Sequence, residues 1–170
     1  NGYFDNYYLT GINYTKDGTD EAENIHINTG ITPQYISIAT AEDWNREMGK
    51  NANGDKGYNI RITGDLDFST TNGIAATNVN IASLIGSDAQ NWHTIKGINM
   101  PNGNQSLVDI ANGRIAYLNF QDISMSKTDT TQMGGFGLFR VTTGDLHDLS
   151  FKNITINSQN SMFTGISALA

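Results

Sequence analysis

The chain has 170 residues, enough for one domain with a continuous but modest core. Hydrophobic residues make up 38%, with 18 Gly and 2 Pro, which suits short strands joined by tight corners and leaves too little Ala, Leu, Glu and Lys for long helices. A formal charge of -7 repels phosphate backbones and anionic lipid, which argues against nucleic acid and anionic membrane as partners; no apolar run approaches the roughly 18–20 residues of a membrane span, and the lack of cysteine excludes disulfides, thiolate metal sites and cysteine nucleophiles.

Residues 1–34 open with Tyr3, Phe4, Tyr7, Tyr8 and Tyr14. Exposed aromatics stack on sugar faces and anchor interfaces, so Tyr3, Tyr7, Tyr8 and Tyr14 are the binding candidates; packing within a strand or against an upstream domain is the plainer alternative. The acidic run Asp17, Asp20, Glu21 and Glu23 lacks the alternating carboxylates of a calcium loop and reads as a solvated loop. A short strand is expected over Ile25 to Ile27. Apolar residues alternate again from Tyr35 to Ala39, as in a strand, and Thr40 to Gly49 is the one helix. Thr40 with Asp43 makes a near capping box, and Trp44 and Met48 share a face. Such a helix suits the start of a stack of strands, whose first edge is otherwise open. Tyr58 to Phe68 reads as strand, turn, strand around Gly64 and Asp65. Ile81 to Ile85 and Trp92 to Ile98 are further short apolar stretches, and Pro101 to Asn104 is a turn signal.

The later part of the chain repeats. A shift of 31 residues lays Leu107, Val108, Ile110, Gly113, Ile115, Leu118, Phe120, Ile123 and Met125 over Leu138, Phe139, Val141, Gly144, Leu146, Leu149, Phe151, Ile154 and Ile156 without a gap. Apolar positions stay apolar, while Asn119, Gln121 and Ser124 stay polar as Ser150, Lys152 and Thr155. The spacing, alternate and then shifted before Ile123, predicts short strands with a corner between them rather than a helix. Repeats therefore occupy 107–126 and 138–157, with a truncated third from 161, and a solenoid over 35–170 follows the N-terminal segment. Asn1 is not an initiator methionine and the third copy stops at Ala170, so the chain reads as a piece of a larger protein.

Gly137 to Ile156 (GLFRVTTGDLHDLSFKNITI) resembles the GLUG-type repeats of bacterial surface proteins: a Gly-Leu-Phe opening, an apolar residue, a turn Gly and an apolar ladder. The earlier copy departs at Ser106 and Val108, where the pattern has Gly and Phe. The order of YISIATAEDWNREM, Gly64-Asp-Leu-Asp-Phe68 and the repeats is also similar to the N-terminal region of IgA1-protease-type zinc metallopeptidases. The resemblance covers about residues 35–170 and implies a β-solenoid arm on a secreted or wall-attached protein. It carries no active site here, because the chain has no His-Glu-x-x-His motif to receive one.

Other chemistry is sparse. His26, His93 and His147 lie too far apart in sequence for a helical zinc motif and read as surface or corner residues, and Trp92 with His93 also has a plain core or corner reading. Asp65 and Asp67 flank Leu66 at strand period and are the calcium candidates, against a polar outer face as the plainer reading. Gly134, Gly135 and Gly137 lack the Lys-Ser/Thr ending of a phosphate loop. Asn13, Asn104 and Asn153 open glycosylation patterns of the kind an Asn-rich chain makes by accident.

The expected fold is mainly β: a right-handed parallel β-solenoid (β-helix) with one short capping helix. The expected inward set is Ile60, Ile62, Leu66, Ile115, Leu118, Phe120, Ile123, Met125, Leu146, Leu149, Phe151, Ile154 and Ile156. The expected function is a non-catalytic structural or recognition module of an extracellular or cell-surface bacterial protein, with no cofactor. Its partner would be a host glycoprotein or glycan, or a sibling domain of the parent protein. The alternative is a polysaccharide lyase or hydrolase, using Asp65, Asp67 or Asp109 with Arg114 or Lys96.

Overall fold

The computed structural model describes residues 7–17, 24–33, 35–49, 58–101, 106–127 and 137–158. Chain contacts divide the molecule into residues 1–35 and 36–170, the boundary falling after the first residue of the strand that opens the second unit. In the first unit β1 (Tyr7–Asp17) and β2 (Asn24–Pro33) pair antiparallel, from Asp17 opposite Asn24 to Tyr7 opposite Pro33, with an irregularity between Leu9 and Gly11. The β2 ladder runs well beyond the Ile25–Ile27 strand expected from the sequence. Asn28 and Thr29 carry no apolar signal, yet their backbone groups pair across the hairpin as readily as those of Ile27.

The second unit contains β3 (Tyr35–Ile38), α1 (Ala41–Gly49), β4 (Tyr58–Ile62), β5 (Leu66–Asp67), β6 (Val79–Ile85), β7 (His93–Lys96), β8 (Asn99–Met100), β9 (Val108–Ala111), β10 (Ile115–Lys127), β11 (Phe139–Thr142) and β12 (Leu146–Ser158). A 3-10 turn, Phe68–Thr70, follows β5. These strands form one ten-stranded sheet curled into a half-barrel. Every strand pairing of known register in it is parallel: β4 with β6, β5 with β7, β6 with β9 and β10, β7 and β8 with β10, β9 with β11, and β10 with β12. The fold is thus mainly β with one helix among the described residues.

The internal repeat becomes the register of the sheet. Leu118 pairs with Leu149, Phe120 with Phe151, Ile123 with Ile154 and Met125 with Ile156, and Val108 pairs with Phe139. Like residues stack because a parallel ladder places equivalent positions of two layers side by side, about 4.8 Å apart. Ile60, Ile62, Leu66, Ile115, Leu118, Phe120, Ile123 and Met125 are buried, as expected. Leu146, Leu149, Phe151, Ile154 and Ile156 pack against the same core but are only partly buried. Their strand, β12, has a partner on one side alone among the described residues. Phe120 is the centre of an aromatic cluster, stacked on Phe151 (centroids 5.4 Å apart, planes at 15°) and edge-on to Phe139 at 5.4 Å.

Two backbone devices turn the chain between strand segments. Gly113 and Gly144 stand at equivalent corners, and a Cβ on Gly144 would lie 2.0 Å from the Gly113 carbonyl oxygen. Only a residue without a side chain lets the two layers approach so closely. The corner expected between Phe120 and Ile123 falls at Asp122, which adopts φ 52 inside an unbroken 13-residue strand. Asn153 repeats it at φ 54, and Gly97, one layer earlier, at φ 73. Gly, Asn and Asp are the residues that enter the left-handed region most readily.

Helix α1 starts as its sequence requires. The Asp43 amide donates to Thr40 Oγ1 at 3.1 Å, and the Thr40 amide donates to Asp43 Oδ2 at 3.2 Å, closing the capping box. Trp44 and Met48 are fully buried in the core, and Trp44 Nε1 donates to the Ala76 carbonyl at 3.0 Å.

Candidate functional site

The side chains that face away from the core also stack by layer. Because His93 of β7 pairs with Leu118 of β10, Trp92 and Tyr117 adjoin just before those residues, and His147 of β12 follows in the next layer beside Ala116. Their rings form a continuous column: Trp92 to Tyr117 with centroids 6.4 Å apart and planes at 54°, then Tyr117 to His147 at 5.3 Å, edge to face. All three are half-buried, so each ring has one side against protein and another toward solvent. The Arg114 guanidinium carbon lies 5.9 Å from the Tyr117 centroid, and His147 Nδ1 lies 2.8 Å from Asp148 Oδ2. Polar groups therefore border the apolar rings.

The turn before Trp92 is tightly bonded. Asp88 accepts hydrogen bonds from the amides of Gln90 and Asn91 and from Asn91 Nδ2. These bonds, with that from the Asn91 side chain first among them, hold the Asp88 carboxyl below the usual carboxylate range. Trp92 Nε1 donates to the Ala89 carbonyl within the same turn at 3.0 Å. Ser87 Oγ lies 3.0 Å from His93 Nε2, and His93 Nδ1 lies 3.8 Å from Asp65 Oδ1. These are the residue types of a hydrolytic triad, but 3.8 Å is too long for a hydrogen bond to orient the ring, and Asp65 Oδ1 already accepts the Thr94 amide at 2.8 Å.

The carboxylates considered for calcium or for sugar chemistry are engaged separately. Asp67 accepts from the Ser69 amide at 3.0 Å, caps the 3-10 turn, and pairs with Lys96 Nζ at 3.1 Å. The Ser69 hydroxyl and then Lys96 hold its carboxyl below the usual range. Asp109 forms a bidentate pair with Arg140, the partner of its own repeat position. Among the described residues no group of three or more His, Asp or Glu is placed to hold a metal ion. Nor is any helix among them long and apolar enough to cross a membrane.

Tyr3 lies outside the described residues. Tyr7, Tyr8 and Tyr14 lie in β1, opposite Pro33, Thr32 and Ile27, and their side chains are outside the described set. From sequence, Trp92 and His93 read as core or corner residues and His147 as a surface or corner residue, and nothing local marks Tyr117. One signal was available: the 31-residue shift lays Tyr117, an aromatic, over Asp148, a residue typical of corners. Comparison with known protein families, with curated proteins and with solved structures found no match to this chain.

Proposed function

We propose that residues 35–170 are a segment of a right-handed parallel β-solenoid with α1 as its cap, serving as a non-catalytic structural or recognition module of a large secreted or cell-surface bacterial protein. The observation that carries this reading is the parallel stacking of Leu118 to Met125 on Leu149 to Ile156 in the register of the sequence repeat. A chain built this way gains length one layer at a time and displays its outward residues in columns, which suits a spacer or an extended binding side. The resemblance of Gly137 to Ile156 to GLUG-type repeats supports the surface location, and the negative charge of the chain supports a partner other than nucleic acid. Host glycoproteins, glycans or a sibling domain are the partners this reading predicts.

The test is to immobilise the full chain, expose it to host glycoproteins, glycans and the neighbouring domains of its parent, and assay the same material for polysaccharide cleavage. Retention without bond cleavage is expected. Cleavage that disappears on substituting Asp65, Asp67 or Asp109 would overturn the non-catalytic reading in favour of a polysaccharide lyase or hydrolase.

A further inference from the structure

The geometry points to the column Trp92–Tyr117–His147 as a binding site for a neutral glycan chain, with Tyr117 as its central stacking residue. This inference rests on the recognition reading above and adds the site and the ligand class.

The first argument is the backbone of Tyr117. It adopts φ 61, in the left-handed region, where a bulky side chain is a true outlier. The equivalent corner one layer on carries Asp148 at φ 52, a residue suited to that conformation. A fold selected for stability alone would place Asn, Asp or Gly at both. Strain of this kind persists where a side chain has work to do at the surface.

The second argument is the surroundings of the ring. Trp92 lies beside Tyr117 and is held by its own N–H bond to Ala89, so its ring is positioned before any ligand arrives. Pre-ordering lowers the entropy lost on binding. A pyranose has an apolar C–H face and a rim of hydroxyls. The Trp92 ring and the side of Tyr117 away from Arg114 meet the first, while the Arg114 guanidinium over Tyr117 and the Asp148 carboxylate beside His147 can donate to and accept from the second. Successive rings across layers favour a chain of sugars over a single one. Exposed carboxylates at Asp148 and Asp88, in a chain of net charge -7, disfavour a uronic acid or sulfated polymer and a nucleic acid.

The experiment uses the full chain and panels of neutral and of anionic oligosaccharides, with affinities measured by calorimetry and melting followed in parallel. Neutral oligosaccharides should bind. Tyr117→Asn and Trp92→Ala should each weaken binding roughly tenfold or more. Tyr117→Asn should leave the melting temperature unchanged or raise it, because Asn accepts the left-handed corner. Tyr117→Phe, which keeps the ring, should retain most of the affinity. Neutral-glycan binding that survives both Tyr117→Asn and Trp92→Ala overturns the site. So does preference for anionic glycans, or a protein partner captured equally by the wild type and the variants; each of these leaves the recognition reading standing. Loss of melting temperature in Tyr117→Asn with unchanged affinity assigns the ring to the fold and also overturns the site. No retention of any glycan, glycoprotein or sibling domain overturns both.

Discussion

Asn153 donates from Nδ2 to Asp122 Oδ1 at 2.8 Å, and the two residues are 31 positions apart in sequence and one layer apart in the sheet. Both hold left-handed backbone at the same corner, so one contact ties together the turn geometry of two layers. The bond from Asn153, then that from Gln121, keeps the Asp122 carboxyl below the usual carboxylate range.

That contact makes a prediction about acid. Asp122, Asp67, Asp88 and Asp43 all have depressed folded values. A depressed carboxyl contributes stability above its unfolded value, about 4, and loses it as pH falls through the folded value. Melting temperature should therefore hold steady from neutral pH to about 4 and decline below it. Asn153→Gly keeps the left-handed corner but removes the donor. In that variant the Asp122 carboxyl, followed by carboxyl NMR, should titrate closer to its ordinary value; an unchanged titration would show that the bond does not set it.

Layer spacing at the glycine corner should be intolerant of even one methyl group. Gly144→Ala and Gly113→Ala would place Cβ 2.0 and 2.3 Å from the carbonyl oxygens of Gly113 and Ala82. Each should lower unfolding free energy by about 1–3 kcal/mol through forced backbone movement. Gly49→Ala, with nothing within 4 Å of the new methyl, should be neutral or stabilising. Urea midpoints for the three variants decide this, and similar midpoints for all three would refute the close approach.

The aromatic cluster should show a gradient along the stack. Phe120 is fully buried between Phe139 and Phe151, whereas Phe151 is half-buried. Phe120→Ala should cost about 3–5 kcal/mol, and Phe151→Ala about 1–2 kcal/mol because part of its surface is already in water. Equal losses in chemical denaturation would mean that the last described layer is covered in solution.

The helix cap offers a smaller effect. Thr40→Ala removes the acceptor for the Asp43 amide and should cost about 1 kcal/mol, while Thr40→Ser should restore most of it. Thermal melts of the two variants separate the hydroxyl from the β-branched methyl.

Much of the fold was legible in the chain itself. The 31-residue period and the alternation around Leu118, Phe120, Leu149 and Phe151 specified strands, their layer spacing and their inward faces, because core positions of a stacked ladder repeat the same chemistry. The Thr40 and Asp43 cap and the Trp44 and Met48 face specified α1, since helix starts are local. What the sequence could not show was which outward residues become neighbours. Trp92 and Tyr117 are 25 positions apart and fall outside the 31-residue period, and only the β7 to β10 register brings their rings within 6.4 Å. Nor could it show that Tyr117 sits at a left-handed corner, because a Tyr there contradicts local preference and only the surrounding ladder holds it. Periodic burial is written residue by residue along the chain. A surface site made of several layers exists only once tertiary pairing has set them side by side.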